Sequence, residues 1–150
     1  MPLIEKIVSG GQTGADRAAL DWAIENGIPH GGWCPKGRLA EDGPISSRYN
    51  LTESSSKDYL QRTEWNARDS DGTVVFTIAA TLSGGSKRTV HFAEKHKKPV
   101  VHISSATEQP AELLVDFIRS NGIRILNVAG SRGSKEPEIG EFVKQILAMY

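Results

Sequence analysis

The chain has 150 residues, and its 18 Lys and Arg balance 18 Asp and Glu to a formal net charge of zero. This length favours one domain with its own buried core, and neutrality gives no general attraction to nucleic acid or an anionic membrane. One Cys excludes an intramolecular disulfide and a cysteine-built zinc site, and it favours a cytoplasmic protein. No apolar run approaches the roughly 20 residues of a membrane span.

The first part of the chain predicts two strands and two helices around one long loop. Apolar runs that end in glycine indicate strands, and apolar residues at helical spacing indicate helices. The predicted elements are strand Leu3–Val8, helix Ala15–Glu25, strand Gly31–Cys34, loop Pro35–Ser56 and helix Asp58–Arg68. A polar loop of this length inside a compact domain is often functional.

The second part of the chain continues the alternation of strands and helices. The predicted elements are strand Thr73–Ile78, helix Lys87–Lys97, strand Val100–Ile103, helix Pro110–Asn121, strand Ile123–Val128 and helix Glu138–Met149. This alternation predicts an α/β fold, with helices on both faces of a mainly parallel sheet of about five strands. We expect one ligand-binding domain over residues 1–150, with its ligand at the carboxyl ends of the strands.

Glycines are enriched, at 15 of 150 residues against an average of about 7%, and the first cluster lies at residues 10–14. Glycine allows positive φ and close approach to a ligand, and the helix that follows offers N–H groups to an anion. Gln12 and Thr13 add uncharged hydrogen-bonding groups. Asp16 suits a ribose, a base edge or the helix dipole, and Arg17 suits a phosphate. The strand-turn-helix context favours a phosphate site over a mere tight connection.

Two common nucleotide motifs do not match this turn. The dinucleotide fingerprint is G-x-G-x-x-G with an acidic residue after the second strand, whereas the spacing here is G-G-x-x-G and residues 34–38 are basic. A Walker loop needs G-K-[ST] after four spacers, and no segment supplies it. The sequence therefore disfavours a typical NAD site and nucleoside triphosphate hydrolysis.

The long loop carries Lys36, Arg38 and Arg48 together with the aromatic residues Trp33 and Tyr49. Such a loop over a cleft could stack a ring and pair with a phosphate. The equally weighted alternative is a solvated loop whose aromatic residues fill the core.

Two further glycine turns follow later strands, at residues 83–86 and 130–133, and each is followed by basic residues. Helix capping by Ser86 or Ser134 is the simpler explanation for either turn alone, but three turns at one sheet edge would surround one cleft. The predicted ligand-binding residues are Gly10, Gly11, Gln12, Thr13, Gly14, Asp16, Arg17, Lys36, Arg38, Ser83, Gly84, Gly85, Ser86, Gly130 and Ser131.

Motifs for conventional catalysis and metal binding do not stand out. The four His residues share no metal-like spacing, and no G-x-S-x-G elbow occurs. Cys34 is a candidate nucleophile or metal ligand whose pKa Lys36 and Arg38 could lower, but a buried small residue is the favoured interpretation. We predict no metal site, assign no catalytic residue, and favour a binding protein over an enzyme.

Several segments resemble the molybdenum cofactor carrier family, which lies in a broad Rossmann-like group with the LOG phosphoribohydrolases and the DNA-processing protein DprA. The resemblance covers almost the whole chain, and its first two motifs are long and specific. It rests on the segments Ser9–Arg17 (SGGQTGADR), Gly31–Arg38 (GGWCPKGR), Ala40–Ile45 (AEDGPI), Arg68–Gly72 (RDSDG), Leu82–Gly85 (LSGG) and Asn127–Ser131 (NVAGS).

The resemblance implies a Rossmann-like domain that binds the molybdenum cofactor, a pterin with a phosphate and a dithiolene-bound molybdenum, and passes it on without chemistry. The glycine turns would hold its phosphate and the basic loop would face its oxyanionic end. A homo-oligomer is also expected. LOG enzymes look like PGGxGT followed closely by a catalytic Glu. Here Ser83 replaces the Pro and Glu94 lies too far along, a departure from the LOG pattern.

Two other functions therefore stay open beside a carrier of a phosphate-bearing ligand, molybdopterin or a nucleotide. One is a LOG-like nucleotide N-glycosidase, which needs a carboxylate in the cleft, with Asp16 or Asp71 as candidates. The other is a sensor of a nucleotide-derived ligand, in which the cleft only gates partners.

Overall fold

The computed structural model describes residues 4–150, so Leu3 of the first predicted strand lies outside the described residues. Short strands and longer helices alternate, as the sequence predicts. In chain order the elements are β1 (Lys6–Val8), α1 (Ala15–Glu25), β2 (His30–Gly31), β3 (Trp33–Cys34), β4 (Leu39–Ala40), β5 (Gly43–Pro44), β6 (Thr52–Glu53), α2 (Tyr59–Arg68), β7 (Gly72–Phe76), α3 (Gly84–Lys95), β8 (Val100–Ile103), α4 (Pro110–Ser120), β9 (Ile125–Gly130) and α5 (Ile139–Ala148).

The main sheet has five strands in the order β2-β1-β9-β7-β8, and every neighbouring pair is parallel. The predicted α/β fold with a five-stranded parallel sheet is confirmed. The carboxyl ends of β1, β7 and β9 meet at one edge, and each is followed along the chain by a helix, α1, α3 or α5. Strand order reverses about β1 and β9, which is where such sheets open a crevice for ligands.

Helices cover both faces of the sheet. Val74 and Phe76 of the interior strand β7 belong to the main hydrophobic core, which also contains residues of α1, α4 and α5. Val75 is fully buried but is absent from that core, because successive residues of a strand point to opposite faces. On its side α3 packs against β7, β8 and β9, and α2 packs against α3.

The segment predicted as the long loop Pro35–Ser56 is more structured than expected. A β4–β5 hairpin forms within it, and β6 pairs in parallel with β3. Its apolar residues build a second small core with α1: Leu20, Cys34, Ala40, Ile45, Tyr49 and Leu51. Strands of two residues carry too little periodicity to be recognised in a sequence. For Tyr49, the alternative in which an aromatic residue fills the core is confirmed.

Two predicted boundaries are wrong in a way that matters for the site. The helix predicted to begin at Lys87 begins at Gly84, so Gly84 and Gly85 form its first turn instead of a loop before it. The last strand ends at Gly130 and not at Val128. Glycine is a poor helix and strand former. Because of this low propensity, the sequence did not indicate the start of α3 or the end of β9.

Candidate functional site

A cavity of about 120 Å³ opens at the carboxyl edge of the sheet, between α2, the first turns of α1 and α3, and the segment that follows β9. Four of its lining side chains are basic and one is acidic. The lining residues are Gly10, Gln12, Asp16, Tyr59, Leu60, Arg62, Thr63, Asn66, Ser83, Gly85, Ser86, Arg88, Thr89, Asn127, Val128, Ala129, Gly130, Ser131, Arg132 and Lys135.

The floor of the cavity is an ion pair between Arg62 of α2 and Asp16 of α1, with Nη1 and Oδ2 3.8 Å apart. Both residues are buried, at 7% and 8% exposure. Arg62 also donates to the Gly10 carbonyl at 2.5 Å and to the Thr63 hydroxyl at 3.1 Å. Burial raises the pKa of Asp16, although the neighbouring Arg62 charge opposes that shift. The floor is therefore polar but nearly neutral in charge.

Gly10 makes this floor possible. A Cβ at position 10 would lie 2.1 Å from Nη1 of Arg62, so only glycine lets the guanidinium reach the backbone of the turn. The close approach here is thus between two parts of the protein, not between the turn and a ligand.

Gln12 leaves a hydrogen-bonding group unused beside the floor. Its Oε1 accepts the backbone N–H groups of Thr13 at 3.1 Å and Glu41 at 2.9 Å, which fixes the orientation of the amide. The Nε2 atom is buried and has no hydrogen-bond partner among the described residues. A buried amide donor without an acceptor costs about 1–3 kcal/mol, so Nε2 is ready for an oxygen from a ligand or water.

The mouth of the cavity carries three exposed basic side chains, Arg88, Arg132 and Lys135. None of them forms a salt bridge within residues 4–150. Lys135 donates to the Ser83 hydroxyl and so links the segment after β9 to the start of α3. The Tyr59 ring lies 5.2 Å from the Arg62 guanidinium and 6.0 Å from that of Arg132, at the transition from floor to mouth.

The first turn of α3 faces this mouth with free donors. No acceptor within the described chain binds the backbone N–H groups of Gly84, Gly85 or Ser86. Ser83 occupies the N-cap position, but its side chain makes no capping hydrogen bond. Free N–H groups at a helix start favour an anion. The simpler explanation for Ser86, helix capping, is wrong, because Ser86 lies inside the helix.

The first turn of α1 differs, because acceptors within the protein bind the N–H groups of Ala15 and Arg17. The N–H of Ala15 binds the Ser131 carbonyl at 3.1 Å, and the N–H of Gln12 binds the Asp16 carboxylate at 3.2 Å. The neighbouring β4–β5 hairpin adds two acidic residues. Glu41 accepts the Thr13 hydroxyl at 2.6 Å, and Asp42 pairs with Arg17.

The structure thus brings together about half of the residues predicted from sequence. Those that line the cavity are Gly10, Gln12, Asp16, Ser83, Gly85, Ser86, Gly130 and Ser131. Gly84 belongs to the same α3 turn without lining the cavity, whereas Gly11, Thr13 and Gly14 belong to the filled turn of α1.

Three predicted basic residues lie away from the cavity. Arg17 is held by Asp42, at 2.5 Å from Nη1, and by the Gly11 carbonyl at 3.0 Å. Arg38 donates to several backbone carbonyls between residues 45 and 51 and organises the loop. Lys36 is exposed and does not line the cavity. Their positive charge can be read from the sequence. The Asp42 partner of Arg17 lies in the β4–β5 hairpin and the partners of Arg38 lie in the segment after it, and the sequence did not reveal this local structure.

Twelve of the 20 residues that line the cavity were not among those predicted, and the charged or aromatic ones are Tyr59, Arg62, Arg88, Arg132 and Lys135. Arg62 lies one helical turn from Tyr59 and Asn66 on α2, so three polar or aromatic residues at helical spacing faced one side. That spacing was the available signal. Arg132 and Lys135 follow the third glycine turn directly, and only the packing of that segment against α3 brings them to the same mouth.

Other sequence-based candidates are settled by position. Asp71 lies at the opposite edge of the sheet, where it accepts the N–H groups of Arg124 and Ile125 at 3.1 and 2.8 Å. It is therefore wrong as a cleft carboxylate. Cys34 is fully buried in the second core, as favoured. Arg38 lowers the pKa of its thiol, as expected, but burial raises that pKa by more, so the expected net lowering is wrong.

No group of three or more His, Cys, Asp or Glu residues in the described part of the chain is arranged to hold a metal ion. None of the described helices combines the length and the apolarity that crossing a membrane requires.

Comparison with known proteins places this architecture in a family. A crystal structure at 1.45 Å of a protein from Syntrophus aciditrophicus SB, described as a "putative molybdenum carrier protein", is 48% identical, with a TM-score of 0.96 over 99% of this chain and 95% of that one. A diphosphate reductase of the non-mevalonate pathway aligns at 10% identity with a TM-score of 0.43 over 98% of this chain and 60% of that one, a likeness that carries no weight. No curated protein matches.

The resemblance seen in the sequence motifs is confirmed by the first of these structures, which shares the fold over nearly the full length of both chains. The model of the circularly permutated YpsA SLOG family matches residues 7–150, and the chain belongs to that family.

Proposed function

We propose that this protein is a carrier that binds a small phosphate-bearing ligand, molybdopterin or a nucleotide, in the cavity between α2 and α3. The observation that carries the proposal is the set of unused donors there: the buried Nε2 of Gln12, the free N–H groups of the α3 start, and the unpaired Arg88 and Arg132. Phosphate oxygens are acceptors with negative charge and complement the N–H groups and the arginines, and the Gln12 amide can donate to another oxygen of the ligand.

Molybdopterin is the first candidate because the 48% identical structure is described as a molybdenum carrier. The described residues provide no group for a direct metal site, so the molybdenum would be cargo held through the sulfur atoms of the pterin. A cavity of about 120 Å³ is smaller than the roughly 300 Å³ of a pocket that encloses a whole ligand. A pterin or a nucleotide would therefore enter with one end and leave the other at the mouth.

The proposed partner is a small molecule and not nucleic acid, which agrees with a formal net charge of zero. The family resemblance supports a homo-oligomer that works in the cytoplasm. Oligomeric state can be measured on a sizing column with and without the ligand.

The test is mass spectrometry of what copurifies with the native protein, followed by calorimetric titration. We expect a phosphorylated small molecule on the wild type and its loss from the double variant Arg88→Gln/Arg132→Gln. Arg119→Gln is the matched control, since Arg119 is an exposed arginine on α4 outside the cavity. Absence of any bound molecule, together with no heat from molybdopterin or any common nucleotide, would refute the carrier function.

One observation favours a second candidate, a nucleotide N-glycosidase of the LOG type. Asp16 is a buried carboxylate in the cavity, and burial raises its pKa, which suits a general acid or base. Release of base from a nucleoside monophosphate by the wild type, lost in Asp16→Asn, would establish the enzyme. Wild-type protein that binds nucleotides without releasing base would refute the enzyme and leave the carrier as the supported function.

A further inference from the structure

The net charge of the cavity changes with depth: the floor has balanced charges, and the mouth is positively charged. In the floor, the single acidic residue Asp16 offsets Arg62, and both are buried. At the mouth, Arg88, Arg132 and Lys135 are exposed and have no salt bridge within the described residues. The positive potential available to an anion is therefore concentrated at the mouth.

The floor offers a donor and an acceptor, because both Gln12 and Asp16 line the cavity and both are buried. Nε2 of Gln12 has hydrogens without an acceptor, and Gln12 itself is only 6% exposed. The Asp16 carboxylate receives the Gln12 N–H at 3.2 Å and has capacity for further hydrogen bonds from a donor. A hydroxyl-bearing group suits both, because a hydroxyl can accept from the amide and donate to the carboxylate. A phosphate oxygen satisfies only the amide and is repelled by the carboxylate.

We propose that the ligand is a phosphate monoester that binds with its phosphate at the mouth, on Arg88, Arg132 and the α3 start, and with an uncharged hydroxyl-bearing group in the floor. This orientation rests on the proposed function and makes it more specific. It assigns Gln12 and Asp16 to the recognition of the organic part of the ligand, and it assigns the phosphate to Arg88, Arg132 and the α3 start.

Substitution of Asp16 tests the orientation, because the two possible positions of the phosphate predict different changes in the affinity for inorganic phosphate. We would titrate inorganic phosphate into the wild type, Asp16→Asn, Arg132→Gln and the control Arg119→Gln by calorimetry. Phosphate at the mouth predicts an affinity within about twofold of wild type for Asp16→Asn and a loss of at least about fivefold for Arg132→Gln. Phosphate in the floor predicts the reverse, with Asp16→Asn binding at least about fivefold tighter, and this result would overturn the inference.

Ribose 5-phosphate, a small probe that carries both groups, completes the test. We expect the wild type to bind it at least about tenfold more tightly than inorganic phosphate, and Asp16→Asn to lose most of that difference. Equal affinity of the wild type for the two probes, or no loss in Asp16→Asn, would overturn the inference while the carrier function stands. A wild type that binds neither these probes nor any copurified molecule fails the proposed function itself, and the orientation with it. Thermal unfolding checks that each variant is folded.

Discussion

Two glycine-containing helix starts, those of α1 and α3, lie at the same edge of the sheet but differ in their contacts with the rest of the protein. The α1 start is closed by the protein: Ser131 accepts from Ala15, and the hairpin residues Glu41 and Asp42 bind Thr13 and Arg17. The α3 start has no acceptor within residues 4–150 for the N–H groups of its first turn. Both sequences predict an anion site. The α1 start nevertheless packs against other parts of the protein, and only the α3 start stays open.

The glycines show the same difference. A Cβ at Gly14 would lie 2.4 Å from the Ser131 carbonyl oxygen, whereas a Cβ at Gly85 would have nothing within 4 Å. Glycine at the α1 start therefore allows one backbone to pack on another, and glycine at the α3 start leaves room. A glycine-rich turn in a sequence signals close approach, but the partner that approaches can be the protein itself.

The largest effect is expected from Gly14→Ala. The new Cβ would overlap the Ser131 carbonyl, and the φ of +83° at position 14 disfavours any side chain. We expect the free energy of unfolding to fall by about 3 kcal/mol or more, measured by urea denaturation. Stability close to that of the wild type would show that the α1 start is as open as the α3 start.

Thr13→Val is the milder partner of that variant, in case Gly14→Ala does not fold. It removes a hydroxyl that accepts the Gly133 N–H at 3.1 Å and donates to Glu41 at 2.6 Å. We expect a loss of about 1–2 kcal/mol in unfolding free energy and no change in ligand affinity.

The second prediction closes the α3 start in the way the hairpin closes the α1 start. Gly85→Asp would place a carboxylate in the first turn of α3, in open space at the mouth of the cavity. We expect phosphate affinity to fall at least about tenfold by calorimetry, while stability stays equal or rises by about 0.5 kcal/mol through the helix dipole. Gly85→Asn has the same size without the charge and is expected to stay within about threefold of the wild type. Equal affinity of the two variants would place the phosphate elsewhere.

The sequence predicted most of the fold, because helices of ten or more residues and the apolar strands β7 and β8 carry clear periodicity. It also predicted the edge of the sheet at which the cavity opens. It could not distinguish the two helix starts, since that difference depends on the hairpin of residues 39–44, whose strands have two residues each. Arg62 was missed because its role comes from the packing of α2 against the turn at Gly10.

Arg17→Ala tests whether the α1 start contributes to ligand binding. The Arg17 side chain pairs with Asp42 and with the Gly11 carbonyl, and it does not line the cavity. We expect ligand affinity within about twofold of the wild type by calorimetry, and a stability loss of about 0.5–1 kcal/mol, typical of a partly exposed pair. A loss of phosphate affinity comparable to that of Arg132→Gln would return Arg17 to the ligand site and make both helix starts functional.

The smallest effect concerns acid stability, and it also separates the two helix starts. Hydrogen bonds from Ser134 and Thr13 lower the pKa of Glu41 below 4.5, and Arg17 lowers the pKa of Asp42 below 3.8. A carboxyl with a lowered pKa in the folded state stabilises the fold above its unfolded pKa, and that contribution is lost as pH falls through the folded value. Unfolding free energy should therefore decline below about pH 4.5, and Glu41→Gln should flatten the decline.

The control for that experiment is Glu94→Gln, which removes an exposed carboxylate on α3 outside the hairpin cluster. Because Glu94 forms no salt bridge within the described residues, this variant should keep the wild-type acid profile. If Glu94→Gln flattens the profile as much as Glu41→Gln does, the acid response belongs to the overall charge of the protein. If only Glu41→Gln does so, the acid response comes from the hydrogen bonds that Glu41 accepts from Thr13 and Ser134 beside the α1 start.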